Sequence, residues 1–347
     1  MPYYLVSCPY ESEEPHRIHY QLFGNSTAPY KIVFTMGLGG TAAQWEPQVQ
    51  YFSKQPDMYQ VLIYDNRGMG LSDPVAGRWT TTRMARDTLS LLDYLGWKND
   101  VHAVGLSMGG MITQEVVRQD PKRFASMILL STIAGGLFSL KLFILTIPTG
   151  LQLAARTFLT TDPRAQLKNG LRLLYPEEFL ELESPHPETG VLTKNFKLFR
   201  SALIKRGLND KKNGVPPMRI TSIFKQAFAV FGHSVSADEL AGIAKSLNGN
   251  VLVLTGDADI LVHPENATRL RDELNAELVV VPKAGHGANE QEHLLVNQTI
   301  ERVVRKAASS DRSPKRANCP TTDRTTSALV TAAITPAEGT THIPSRL

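Results

Sequence analysis

Cysteine is almost absent. The only two, Cys8 and Cys319, lie at opposite ends of the 347 residues, and neither has a CxxC partner. That excludes a disulfide framework and a cysteine zinc site, and it fits a reducing compartment. Basic excess is missing where a nucleic acid would need it. The formal net charge of +4 comes from residues 301–347, which carry eight Lys/Arg against four Asp/Glu. The first 300 residues hold 29 of each sign. No basic stripe is left in the body of the chain to act as a nucleic-acid footprint.

A membrane-spanning run is also lacking. The most apolar stretch, residues 136–159, is interrupted by Lys141, Pro148, Gly150 and Arg156. The uncharged run between Lys141 and Arg156 falls short of the roughly 20 residues needed to cross a bilayer. It reads as buried or cap helices, so no integral membrane segment is expected. The N-terminus has no basic n-region and turns acidic within its first residues, unlike a signal or transit peptide. What the chain does have is 42% hydrophobic and 20% charged residues. That is enough for a sizeable core, and it excludes collagen-like, coiled-coil and wholly disordered readings.

The first part of the chain alternates short apolar runs with helical patterns. Residues 17–24, 31–38, 61–70, 101–107 and 126–132 read as strands. The spacing of Met84, Leu89, Leu91, Leu92 and Leu95 predicts a helix over 82–95, capped by Thr81 or Thr82. Strand–helix–strand order argues for an α/β fold with a doubly wound, mostly parallel sheet. From about 135 to 232 strand signals vanish and prolines punctuate apolar helical stretches. The rhythm resumes near Asn250. Residues 307–347 hold 13 Ser/Thr, four prolines and no aromatic residue, so they are expected to be a disordered tail. The expected organisation is a core in two parts, 1–134 and 233–306, a helical insertion at 135–232, and a tail at 307–347.

Gly105-Leu106-Ser107-Met108-Gly109 matches G-x-S-x-G. The pentapeptide alone is only moderately specific, but it follows an apolar strand and precedes a helical pattern. A serine there sits on a tight strand-to-helix turn with its hydroxyl exposed. A serine hydroxyl needs a base to accept its proton. Among nine histidines, His286 lies in a glycine-flanked loop after the last strand-like run, where α/β sites form. His186, with Glu181 and Glu183, has the look of a metal site but reads better as a solvated loop. The base needs an acid to fix its tautomer. Asp257 and Asp259 both follow the strand ending near Gly256, and spacing leaves both open. The developing oxyanion needs two N–H donors, for which Met108 and Leu38 are the candidates.

Four segments carry a resemblance, in order: MGLGG (36–40), YDNRGMGLSD (64–73), GLSMGG (105–110), and TGDADILVHP with AGHGANEQEH (255–264 and 284–293). Together they resemble the α/β-hydrolase superfamily, of the branch with a helical cap, over about residues 17–306. The family's acid usually lies three residues after the glycine, so the resemblance implies Asp259. It also implies that the Asp65–Gly70 turn is structural. Met36 departs from the pattern, since many members have histidine there.

The expected activity is hydrolysis of a carboxylic ester or thioester with an apolar acyl part. Ser107 would be the nucleophile, His286 the base and Asp259 the acid, with no cofactor and no metal. The apolar run Leu137–Leu159 would line a hydrophobic access path. Carbon–carbon bond hydrolysis, cofactor-free peroxidase-like activity and a ligand receptor with little turnover are the alternatives on the same residues. The final Ser345-Arg346-Leu347 resembles the S-K-L peroxisomal address. It implies a peroxisomal import receptor as partner, the alternative being a cytoplasmic location.

Overall fold

A computed structural model of the chain describes residues 2–7, 14–136 and 150–310. Eight strands form one sheet in the order β1-β2-β4-β3-β5-β6-β9-β10. They are β1 (Tyr3–Val6), β2 (His16–Phe23), β3 (Tyr30–Thr35), β4 (Tyr59–Tyr64), β5 (Val101–Leu106), β6 (Phe124–Leu130), β9 (Val251–Gly256) and β10 (Glu277–Val281). The pairs β1·β2 and β2·β4 are antiparallel. Every other neighbouring pair is parallel. This is the expected doubly wound, mostly parallel architecture. The short edge strand β1 is an addition that the sequence pattern did not flag.

Helices cover both faces. They include α1 (Glu46–Phe52), α2 (Thr81–Tyr94) and α3 (Met108–Gln119). Strand residues alternate between two cores. Val33, Leu62, Ala103, Leu129 and Val253 join one; Ile32, Phe34, Ile63, Val104, Ile128 and Leu254 join the other. A parallel sheet buried on both sides needs near-continuous apolar strands, and β4, β5 and β9 are buried along their whole length. The cap of α2 is Thr80, whose hydroxyl accepts the Arg83 N–H at 3.1 Å, one residue before the expected position.

Between β6 and β9 lie α4 (Gly150–Leu159), α5 (Pro163–Leu174), α6 (Glu177–Glu181), α7 (Asn195–Lys212), α8 (Ile220–Phe231) and α9 (Ala237–Ser246). The region is mostly helical, as expected, with one difference. A small antiparallel hairpin joins β7 (Glu183–Pro185) to β8 (Leu192–Lys194). Its turn carries Gly190 at φ 70°, a conformation that favours glycine. A third apolar cluster of Leu171, Tyr175 and Leu180 holds α5, α6 and α7 together.

After β9 come α10 (Glu265–Leu274), β10, α11 (Ala288–Gln291) and α12 (His293–Ser310). The last helix runs through Ser310 and buries Ala307, so ordered structure passes the expected boundary at 307. Ser345, Arg346 and Leu347, both cysteines, and residues 137–149 of the apolar run lie outside the described residues.

Strand order positions the site. The chain moves from β3 outward to β4, then returns to the other side of β3 as β5. Ligands of open α/β sheets bind at the carboxyl ends of strands where order reverses in this way. Thr35 of β3 pairs with Gly105 of β5, so the loop after Thr35 and the turn after Leu106 emerge side by side.

Candidate active site

Ser107 occupies the turn between β5 and α3 with φ 57° and ψ −123°. A non-glycine residue there is strained, and such strain persists only where the surroundings enforce it. The Ser107 N–H donates to the Leu130 carbonyl at 2.9 Å. Its carbonyl accepts the Thr132 hydroxyl at 2.6 Å and the Gly110 N–H at 2.9 Å. Glycine neighbours make the approach of α3 feasible. A Cβ on Gly109 would fall 2.0 Å from the Thr35 carbonyl oxygen, and one on Gly105 would fall 2.3 Å from the Gly109 oxygen. Met108 opens α3, so the positive end of the helix lies beside Ser107.

The loop after β3, Met36–Gly40, borders the same serine. A Cβ on Gly37 would stand 3.1 Å from Ser107 Cβ and 3.7 Å from its Oγ. Asn66 Nδ2 donates to the Met36 carbonyl at 2.8 Å and holds the loop from the β4 side. The Leu38 and Met108 N–H groups enter none of the hydrogen bonds found among the described residues.

Asp259 and His286 meet as a buried pair. His286 Nδ1 lies 2.8 Å from Asp259 Oδ2, with Asp259 fully buried and His286 nearly so. Asp259 Oδ1 accepts the N–H groups of Leu261 and Val262 at 2.8 and 2.9 Å. A carboxylate accepting on both oxygens requires His286 Nδ1 to be the donor, which leaves Nε2 as the acceptor. Asp257 is exposed and accepts the Lys283 N–H at 2.6 Å. The structure thus pairs Asp259, and not Asp257, with His286. Ser107 and His286 are not hydrogen-bonded to each other; such bonds are often long before substrate arrives.

The His286 loop is braced by the helical region. Gly287 N–H donates to the Leu174 carbonyl at 2.9 Å. A Cβ on Gly287 would fall 2.7 Å from the Tyr175 ring. The Tyr175 hydroxyl donates to Glu290, whose other oxygen accepts from Arg206 at 3.3 Å. Burial pushes the Tyr175 phenol well above its ordinary range, and the Glu290 charge adds to this.

Other residues singled out by sequence play other parts. Arg67 is fully buried and pairs with Asp87 at 2.7 Å, while Asp65 accepts the N–H groups of Ala42 and Leu71. The Asp65–Gly70 turn is a structural knot. His186 Nδ1 accepts the Glu188 N–H within the β7–β8 turn, and Glu181 pairs with Lys194. Among the described residues no group of three or more His, Cys, Asp or Glu could hold a metal. None of their helices is long and apolar enough to cross a membrane. His102 is buried in β5 against Ser126, and burial lowers its pKa to about 4. Gln226 of α8, which carries no sequence signal, donates nothing and accepts the Gly39 N–H at 2.9 Å.

A family model of the alpha/beta hydrolase fold matches residues 30–293. A protein of Azorhizobium caulinodans named as a carbamate hydrolase is 29% identical over 172 residues, which are 50% of this chain and 60% of that protein. The 3-oxoadipate enol-lactonase 2 of Acinetobacter baylyi is 32% identical over 117 residues, 34% of this chain and 42% of the lactonase. The chain therefore spans less than two thirds of the length of these relatives. A thermophilic esterase from Thermogutta terrifontis shares the fold, with a TM-score of 0.65 over 88% of this chain and 99% of that one at 20% identity.

Proposed function

This chain belongs to the alpha/beta hydrolase fold family, and from that membership we propose that it is a serine hydrolase acting on a carboxylic ester or thioester with an apolar acyl part. The buried Asp259–His286 pair at the mouth of the sheet that presents Ser107 carries the reading. His286 Nε2 takes the Ser107 hydroxyl proton as Oγ attacks the carbonyl carbon. The carbonyl oxygen becomes an oxyanion between the Leu38 and Met108 N–H groups. Such donors are each worth about 2.7–4 kcal/mol in the transition state. The intermediate collapses, His286 returns the proton to the departing alkoxide or thiolate, and an acyl-enzyme remains on Ser107. Water then attacks the acyl carbon, His286 accepts its proton, and the acid leaves with Ser107 restored. Asp259 holds His286 in the reactive tautomer throughout.

The described helices α4 to α8, from Gly150 to Phe231, serve in this reading as a cap over the site. The apolar acyl preference draws support from where the described part of the apolar run, α4, begins. A Cβ on Gly150 would fall 2.2 Å from the carbonyl oxygen of Ile260, the residue after Asp259. A lactone is a cyclic ester, so the name of the lactonase relative agrees with ester chemistry.

The test is turnover of p-nitrophenyl esters and acyl-CoA thioesters over a range of chain lengths, with Ser107→Ala alongside. The variant is expected to fold and to lose a factor on the order of 10⁴–10⁶ in kcat. More than a tenth of wild-type turnover in the variant would move the chemistry away from Ser107.

A further inference from the structure

Gln226 is fully buried on the inner face of α8. A glutamine amide has one oxygen acceptor and two N–H donors to satisfy. Its Oε1 accepts the Gly39 N–H at 2.9 Å. That bond fixes the orientation of the amide, because only the oxygen can face a donor. Nε2 is thereby buried with no partner among the described residues. An unpaired buried donor is costly. Methionine, of similar length, would fill the space without that cost, so this side chain answers to more than packing.

Its one bond identifies the role. Gly39 belongs to the loop whose Gly37 backs directly onto Ser107. Among the described residues that loop also has the ties of Asn66 Nδ2 to the Met36 carbonyl at 2.8 Å and of Gly40 N–H to the Gly37 carbonyl at 3.2 Å. One comes from the turn after β4 and the other from the loop itself. Gln226 supplies the tie from the helical region. Its helix is anchored for the purpose. One turn earlier, Ser222 packs where a Cβ on Gly68 would come within 2.8 Å of its hydroxyl, and Lys225 Nζ donates to the Val75 carbonyl at 2.8 Å. Ser222 and Gln226, four residues apart, share the inward face.

We propose that Gln226 is a positioning residue for the oxyanion site. By holding the peptide plane that follows Leu38, it sets the direction of the Leu38 N–H toward the substrate oxygen. The inference rests on the serine-hydrolase reading above and deepens it. It makes α8 a working part of the site, because a shift of the helical region alters transition-state stabilisation through one side-chain bond. An interaction realised mainly in the transition state changes kcat more than KM.

The experiment compares wild type with Gln226→Met, which keeps length and loses both polar groups, and Gln226→Asn, which keeps the amide but is too short to reach. Hydrolysis of p-nitrophenyl butyrate and inhibition by phenylboronic acid are measured together. The boronate forms a tetrahedral serine adduct that mimics the oxyanion. Both variants are expected to lose about 10- to 100-fold in kcat, with KM moved by less than about threefold. Boronate affinity should fall in parallel with kcat, and the melting temperature should stay close to wild type. Unchanged kcat, a change confined to KM, or kcat and boronate affinity that move independently would overturn the inference. So would failure of both variants to fold, which would assign Gln226 to stability alone. Ser107→Ala separates the two levels. Activity in that variant defeats the serine reading itself, whereas an inactive Ser107→Ala beside a fully active Gln226→Met defeats only the role of Gln226.

Discussion

Asp257 and Asp259 stand two residues apart after the same strand, yet their environments differ completely. Asp257 faces outward and accepts the N–H of Lys283. Asp259 turns inward, where two backbone N–H groups and His286 surround its carboxylate. Spacing from Gly256 cannot separate them, because the direction of each side chain depends on a loop that folds back on Leu261 and Val262. Resemblance to a family pattern was needed to choose. Asp259→Asn should therefore lose about 10⁴ in kcat, as in comparable triads, and Asp257→Asn should stay within about threefold of wild type. Steady-state kinetics on one ester decide the ranking, and the reverse order would reassign the acid. The turns that carry Ser107 and His286 were legible because flanking glycines leave a mark in sequence. Gln226 was not. It sits in an ordinary amphipathic helix, and its meaning comes from Gly39, which is 187 positions away.

At the scale of elements, the strands with both faces buried were the easy ones, since β4, β5 and β9 read as continuous apolar runs. The edge strand β1 and the β7–β8 hairpin escaped notice because each strand has only three or four residues. In the hairpin, Pro185 closes β7, and Pro187 and Gly190 lie in the turn that follows. The interior of β5 carries a pH liability. His102 is neutral and buried, with a pKa lowered from 6.5 to about 4 by burial. His233, beside Thr81, is lowered to about 3 by burial, with Arg118 adding to the effect. Above pH 6.5 each is neutral in the folded and unfolded chain, so neither affects stability. Below it the unfolded chain binds protons that the folded one refuses. Stability should fall from about pH 6.5 toward pH 4, by about 1.4 kcal/mol per pH unit for each histidine at full slope. Urea midpoints measured across that range should fall less steeply in His102→Gln than in wild type. Parallel curves would mean His102 takes up its proton without unfolding.

Across the whole molecule, the helical region and the sheet meet at the candidate site. Leu174 and Tyr175, at the end of α5, brace the loop carrying His286, and Arg206 on α7 joins Tyr175 at Glu290. Gln226 on α8 holds the loop opposite. The order of the segments along the chain was readable, because proline-rich helical stretches interrupt the strand rhythm. The docking was not, since it depends on single hydrogen bonds between distant residues. Tyr175→Phe removes the hydroxyl bond to Glu290 while keeping the ring against Gly287. It should cost about 1.5–3 kcal/mol, the range for a hydrogen bond to a charged group, and lower kcat more than KM. Urea unfolding with parallel kinetics checks both, and wild-type values in both would show that the contact does not steady the His286 loop.

The proposed hydrolysis runs through a covalent intermediate on one hydroxyl, that of Ser107. The direct measurement is peptide-mapping mass spectrometry after reaction with a fluorophosphonate, carried out on wild type, Ser107→Ala and His286→Ala. In wild type the phosphonyl group should be found on Ser107 alone, at one per chain. Ser107→Ala should acquire none, and His286→Ala should react at least about a hundredfold more slowly, because the hydroxyl has lost its base. A phosphonyl group on another residue of the wild-type protein, or undiminished labelling of Ser107→Ala, would rule out Ser107 as the nucleophile.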